Sequence, residues 1–101
     1  MNRLTNYRER EERVLRLPLK AEYFDAIKSG EKKYEYRLCN DYWEKRLLGK
    51  GFDRMELTKG YPKRGDAERT LHRPWFGWVI EWVRHPHFGP VSVQVFAIRV
   101  N

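Results

Sequence analysis

Apolar residues in this chain gather in short runs broken by glycine and proline, and none is long enough for a membrane span or a long buried helix. Five of these runs, at residues 14–17, 32–38, 52–58, 75–83 and 91–100, have the alternation or the β-branched and aromatic content of strands. In the second, Tyr34, Tyr36 and Leu38 alternate with Lys33, Glu35 and Arg37, giving one aromatic face and one charged face. The first is stopped by Pro18, and the residue before a proline favours extended backbone. Helical spacing is clear only over residues 19–29, where Leu19, Tyr23, Phe24 and Ile27 share a face and Lys20, Asp25 and Lys28 lie elsewhere. Gly30 supplies a left-handed end to that helix, and Lys28 suits the negative end of its dipole. A second short helix is expected over 41–48, with Trp43, Leu47 and Leu48 on one face and Asp41 as its cap, before Gly49 and Gly51. Five strands with one or two short helices predict an α+β domain. Its most economical form is a small barrel, whose closure removes exposed edges and whose helix plugs one end.

A chain of 101 residues is the size of one domain. We place that domain at residues 13–101, after a charged arm over 1–12 in which Arg8 to Glu12 are all ionic and no apolar face forms. The arm lacks the apolar segment of a signal peptide, and Cys39 is the single cysteine, which excludes an intramolecular disulfide, a CxxC redox pair and a zinc finger. A cytoplasmic setting, no membrane association and no cofactor are therefore expected. Lys and Arg number 21 against 14 Asp and Glu, a net charge of +7 that favours polyanionic partners, nucleic acid first among them.

The longest aperiodic stretch, 59–74, carries Lys59, Lys63, Arg64, Arg69, His72 and Arg73 among glycines and prolines, and reads as a basic loop able to meet phosphates. Tyr61 and Trp75 border it, and with Tyr34 they are the aromatics most available to stack on a base. Phe76, Trp78, Ile80 and Trp82 alternate as core residues would. His72, His85 and His87 lie in expected loops, where solvent-facing histidines are the rule. His85 and His87 flank a proline with no third ligand nearby, so no metal site is expected.

The densest chemistry lies in Gly30-Glu31-Lys32-Lys33-Tyr34-Glu35-Tyr36-Arg37. Glu35 and Arg37, two apart on a strand, point to one face, and the bend after Gly30 can swing Lys32 toward it. Arg37 would hold Glu35 ionised and Glu35 would orient the Lys32 ammonium, leaving spare donors for a phosphate or a base carbonyl. The bland alternative is an ion pair on a solvated sheet face.

This segment fits the pattern G-x-K-x-x-E-x-R and in that respect resembles the ASCH family, whose signature sits between the first helix and the following strand. The similarity runs from about Val14 to the closing strands. It implies a fold related to the PUA RNA-binding domain, a cleft lined by Lys32, Glu35 and Arg37, and RNA binding or processing. Some ASCH proteins hydrolyse the amide of N4-acetylcytidine and others cleave RNA, chemistry in which the motif lysine, here Lys32, takes part. The resemblance thus implies Lys32 as a catalytic candidate, and for amide hydrolysis the chemistry adds a carboxylate to shuttle the proton to the leaving amine, for which Glu35, with Glu81 a possible second acid from a later strand, is the candidate. The amidohydrolases carry threonine where Glu35 stands and draw their acid from a later helical segment that has no counterpart here.

Three functions are consistent with these residues. The first is an RNA- or nucleoside-recognising domain in which Lys32, Glu35 and Arg37 form the floor of a cleft, Lys59, Lys63, Arg64 and Arg73 draw in phosphates, and Tyr34, Tyr61 and Trp75 stack on bases. The second is a small hydrolase, an amidohydrolase or ribonuclease, using Lys32. The third is an interaction module for an acidic protein.

Overall fold

The computed structural model describes residues 11–101, so most of the expected arm lies outside the described residues. The element order is β1 (Val14–Leu19), α1 (Ala21–Lys28), β2 (Tyr34–Leu38), α2 (Asp41–Leu47), β3 (Arg54–Lys59), β4 (Thr70–Pro74), β5 (Trp78–Val83) and β6 (Val93–Arg99). Single 3-10 turns at Ala67–Arg69 and Pro86–Phe88 precede β4 and β6. The protein is α+β, and its six strands pair as two three-stranded sheets, ordered β1-β3-β4 and β2-β6-β5. β1 and β3 are parallel, which places α1, β2 and α2 in the crossover between them; the other pairs are antiparallel.

Both sheets contribute to one core. Leu15, Leu17, Leu19, Met55 and Leu57 come from the first, Phe96 and Ile98 from the second, and Phe24 and Ile27 from α1. Side chains buried as fully as Phe24 and Ile27 each contribute about 1.5–3 kcal/mol. β6 is central in its sheet, and Val95, Phe96, Ala97 and Ile98 are all buried, as a strand covered on both faces requires.

Several expectations are corrected. There are six strands, not five, because residues 70–74 of the expected basic loop form β4, paired with β3 from Thr70 opposite Thr58 to Pro74 opposite Arg54. β4 lies at the edge of its sheet, where a terminal proline disrupts no inner ladder. β1 runs through Pro18 to Leu19, so Leu19 ends a strand instead of starting the helix. Asn40, not Asp41, caps α2, its side chain accepting the Trp43 N–H at 3.0 Å. Of the alternating set on β5, Trp78 packs edge-on against Phe96 with ring centroids 4.9 Å apart, whereas Phe76, Ile80 and Trp82 are exposed. β5 is an edge strand of its sheet, and among the described residues the core cluster takes in Trp78 from it but not Ile80 or Trp82.

Candidate functional site

The segment joining α1 to β2 is held from three directions. Gly30 takes φ +85°, a left-handed conformation that L side chains rarely adopt, and its N–H reaches the Ile27 carbonyl while the Lys32 N–H reaches that of Ala26 at 2.9 Å. From the other end of the chain, the Asn101 side-chain amide donates to the carbonyls of Ile27 at 2.8 Å and Lys32 at 2.7 Å. The Val100 N–H adds a bond to the Lys33 carbonyl at 2.9 Å. Lys32 is thereby fixed two residues ahead of β2, which begins at Tyr34 and not, as expected, at residue 32.

On β2, Glu35 lies opposite Ile98 and Arg37 opposite Phe96. Opposed residues of an antiparallel pair share a face, so the charged face of β2 is the one directed at the core. Glu35 is the buried charged residue of the described structure, at 6% exposure. Both of its oxygens are engaged: Arg37 Nη2 is 2.9 Å from Oε2 and Lys32 Nζ is 3.7 Å from Oε1. Burial pushes the Glu35 carboxyl above its ordinary range, and the charges of Arg37 and Lys32, the Arg37 hydrogen bond and His87 pull it partway back. Removing three charged groups from water is costly, and it is offset only where the partners are close and bonded.

Arg37 also donates to the Pro18 carbonyl at 3.0 Å and lies over the Trp43 ring, 5.0 Å from its centroid. Its Nε is buried with no acceptor among the described residues. Lys32 sits between two rings, its ammonium 5.2 Å from the centroids of both Tyr23 and Tyr36. The ion triad thus rests between aromatic walls supplied by α1, β2 and the first turn of α2.

Above this floor opens a cavity of about 330 Å³, lined by Lys32, Glu35 and Arg37 together with Lys20, Tyr23, Tyr36, Trp43, His85, His87 and Phe88 among others. That volume lies at the lower end of the range for small-molecule sites, roughly 300–1,000 Å³. Of the two histidines expected to face solvent, His87 is exposed and His85 half-buried, and both line the cavity. The turn between β5 and β6 folds back over α1, and the rings of His85 and His87 each approach the Tyr23 ring edge-on at 5.9 Å. His85 Nδ1 accepts the His87 backbone N–H at 3.1 Å, which leaves its hydrogen on Nε2.

The other candidates are distributed differently. Tyr61, Lys63 and Arg64 line a second, larger groove of about 930 Å³ with Arg16, Glu56 and His72, and Tyr61 is 91% exposed. Among the described residues neither Lys63 nor Arg64 has an ion-pair partner, whereas Arg16 pairs with Glu56 at 3.4 Å. Pro18 lines both the cavity and the groove. Lys59 pairs with Asp25 at 3.0 Å and lines neither. Arg73 donates from Nε to the Val100 carbonyl at 3.0 Å, supporting the segment that clamps Lys32. Trp75 packs on Phe52 at 5.0 Å against the core, and Tyr34 and Glu81 lie on β2 and β5 outside the cavity lining. Cys39 is half-buried and outside the lining too, and burial raises its thiol above the usual range, with Glu44 adding to the effect.

Sequence reasoning missed His85, His87 and Asn101. Local spacing carries no signal for any of them, since each reaches the site through strand pairing across the chain. Among the described residues no cluster of three or more histidine, cysteine or acidic side chains is arranged to hold a metal ion, and no helix is long and apolar enough to cross a membrane. No family model, no curated protein and no solved structure matches the chain.

Proposed function

We propose that this is an RNA- or nucleoside-recognising domain of the ASCH type, its two sheets forming a PUA-like barrel and its cleft binding one nucleoside in a cytoplasmic setting. The observation that carries the reading is the buried Lys32–Glu35–Arg37 triad at the floor of an aromatic-walled cavity. A triad kept only for stability would be served as well by apolar residues of similar volume; placed beneath an opening, it offers fixed donors to the polar edge of a base. Tyr36, Trp43 and Phe88 provide ring surface for stacking. Because Pro18 is a wall of both depressions, an RNA strand lying along Lys63, Arg64 and Tyr61 can deliver one nucleotide across it into the cavity.

The test is equilibrium binding of single-stranded RNA to the wild type, Lys32→Ala and Arg37→Lys, with thermal unfolding as the folding control. Arg37→Lys keeps the charge that Glu35 needs and removes the planar fork. Affinity falls by about tenfold or more in both variants if the triad contacts RNA. Wild-type affinity in both, with the fold intact, removes the cleft from the account. A second reading, hydrolysis in the same cleft, draws on His85 and His87, which bring acid–base groups beside Lys32. Consumption of RNA or N4-acetylcytidine by the wild type and not by Lys32→Ala is the result that favours it.

A further inference from the structure

The charges around the cavity are unequal. Its charged lining residues are Lys20, Lys32 and Arg37 against the single carboxylate of Glu35. Arg37 holds that carboxylate at 2.9 Å, while Lys32 stands at 3.7 Å from it and is steadied largely by the rings of Tyr23 and Tyr36. An ammonium held by ring faces and one loose ion pair keeps N–H donors to spare. A base carbonyl can accept from these donors, but a neutral nucleoside does not balance the surplus charge, whereas a phosphate does both.

The β5–β6 turn adds to it. Because His85 Nδ1 is occupied by the His87 N–H, the imidazole can only donate from Nε2, so the turn fixes His85 as a hydrogen-bond donor at the cavity wall. Both kinds of donor approach the Tyr23 ring, with Lys32 Nζ at 5.2 Å from its centroid and the His85 ring at 5.9 Å. Both donors therefore line the cavity beside the Tyr23 ring, and among the described residues the carboxylate on that lining is Glu35.

We propose that the ligand of this cavity is a phosphorylated nucleoside, with its phosphate monoester held by the Lys32 ammonium and the Nε2–H of His85 beside the Tyr23 ring. The proposal rests on the nucleoside-binding reading and adds to it the charge class of the ligand. The phosphate can belong to a free mononucleotide or to the end of an RNA strand. Lys20, exposed at the start of α1, lies on the same lining and adds longer-range attraction.

The test is calorimetric titration of the whole chain with the four ribonucleosides, their 5′-monophosphates and inorganic phosphate. A 5′-phosphorylated and a 5′-hydroxyl RNA hexamer are titrated as well. For at least one base the monophosphate binds about tenfold or more tightly than the nucleoside, as expected of charge-assisted bonds at a partly buried site. The hexamer pair shows the same preference if strand ends are the source and none if free nucleotides are. His85→Asn separates this role from a structural one, since asparagine keeps an acceptor for the His87 N–H and loses the Nε2 donor. It lowers the monophosphate-to-nucleoside affinity ratio several-fold, Lys32 still being in place, while the thermal midpoint is retained. A nucleoside that binds as tightly as its monophosphate, or a ratio unmoved in His85→Asn, overturns the proposal and leaves nucleoside recognition standing. Binding of neither class overturns both, and binding of inorganic phosphate as tightly as the monophosphate shows an anion site without nucleoside recognition.

Discussion

At the scale of single residues, the burial of Glu35 couples stability to pH. Its carboxyl is raised from an ordinary value of 4.5 in the folded state, chiefly by burial. Between that value and its folded one, the native state binds more protons than the unfolded chain. Its contribution to stability is thus fully present below the ordinary value and declines as pH rises through the folded one. Glu35→Gln has no such proton to lose. The unfolding free energy of the wild type relative to Glu35→Gln, followed by urea denaturation from about pH 4 upward, should shift against the wild type as pH rises. A difference constant with pH would show that the cationic partners cancel the effect of burial. That Glu35 and Arg37 share a face was legible from the two-residue period of a strand. That this face points inward was not, because it depends on the register against Phe96 and Ile98, which local alternation does not encode.

At the scale of elements, the motif loop is as much a product of the C-terminal segment as of its own residues. Asn101→Ala leaves the carbonyls of Ile27 and Lys32 without their side-chain donor, a loss of about 1–3 kcal/mol in unfolding free energy. Hydrogen exchange over residues 30–33 should accelerate more than that of β3. Exchange that quickens evenly in both would place the role of Asn101 elsewhere. α1 was readable because Phe24, Ile27 and Gly30 obey helical period and capping together. β4 was not, since Thr70 to Pro74 are mostly polar and end in a residue unfavourable to inner strands, and only pairing with β3 makes them a strand. The turn carrying His85 and His87 shows the same limit: its composition is that of any loop, and its approach to Tyr23 follows from how β5 and β6 pair.

For the molecule as a whole, the uneven cover of the second sheet has measurable effects. Trp82, 70% exposed on the outer strand, should tolerate Trp82→Ser within about 0.5 kcal/mol. Trp78→Ala, which removes the ring packed on Phe96, should cost upward of about 2 kcal/mol. Denaturation of the two variants side by side checks the contrast, and equal losses would mean that Trp82 is covered in solution. The net charge of +7 was legible from composition, but which cations remain available was not, because Lys59 and Arg73 are engaged within the fold. Replacing Lys63 and Arg64 together by alanine should lower the salt dependence of RNA binding by about 0.7 in logarithmic slope per lost contact. An unchanged slope would remove the groove from the path of the strand.

Among the described residues, β6 is the one hydrogen-bonded neighbour of both β2 and β5. During synthesis on the ribosome, a nascent chain ending before Val93 possesses all of β1, β3 and β4 and can complete the first sheet. β2 and β5 at that stage have no strand to pair with. The second sheet, the clamp on Lys32 and the placing of the histidine turn beside Tyr23 are therefore late events, with long sequence separation to close before they are rewarded. The ligand site therefore waits on β6, and a chain interrupted ahead of Val93 lacks the strand that joins β2 to β5 and part of the core that both sheets share.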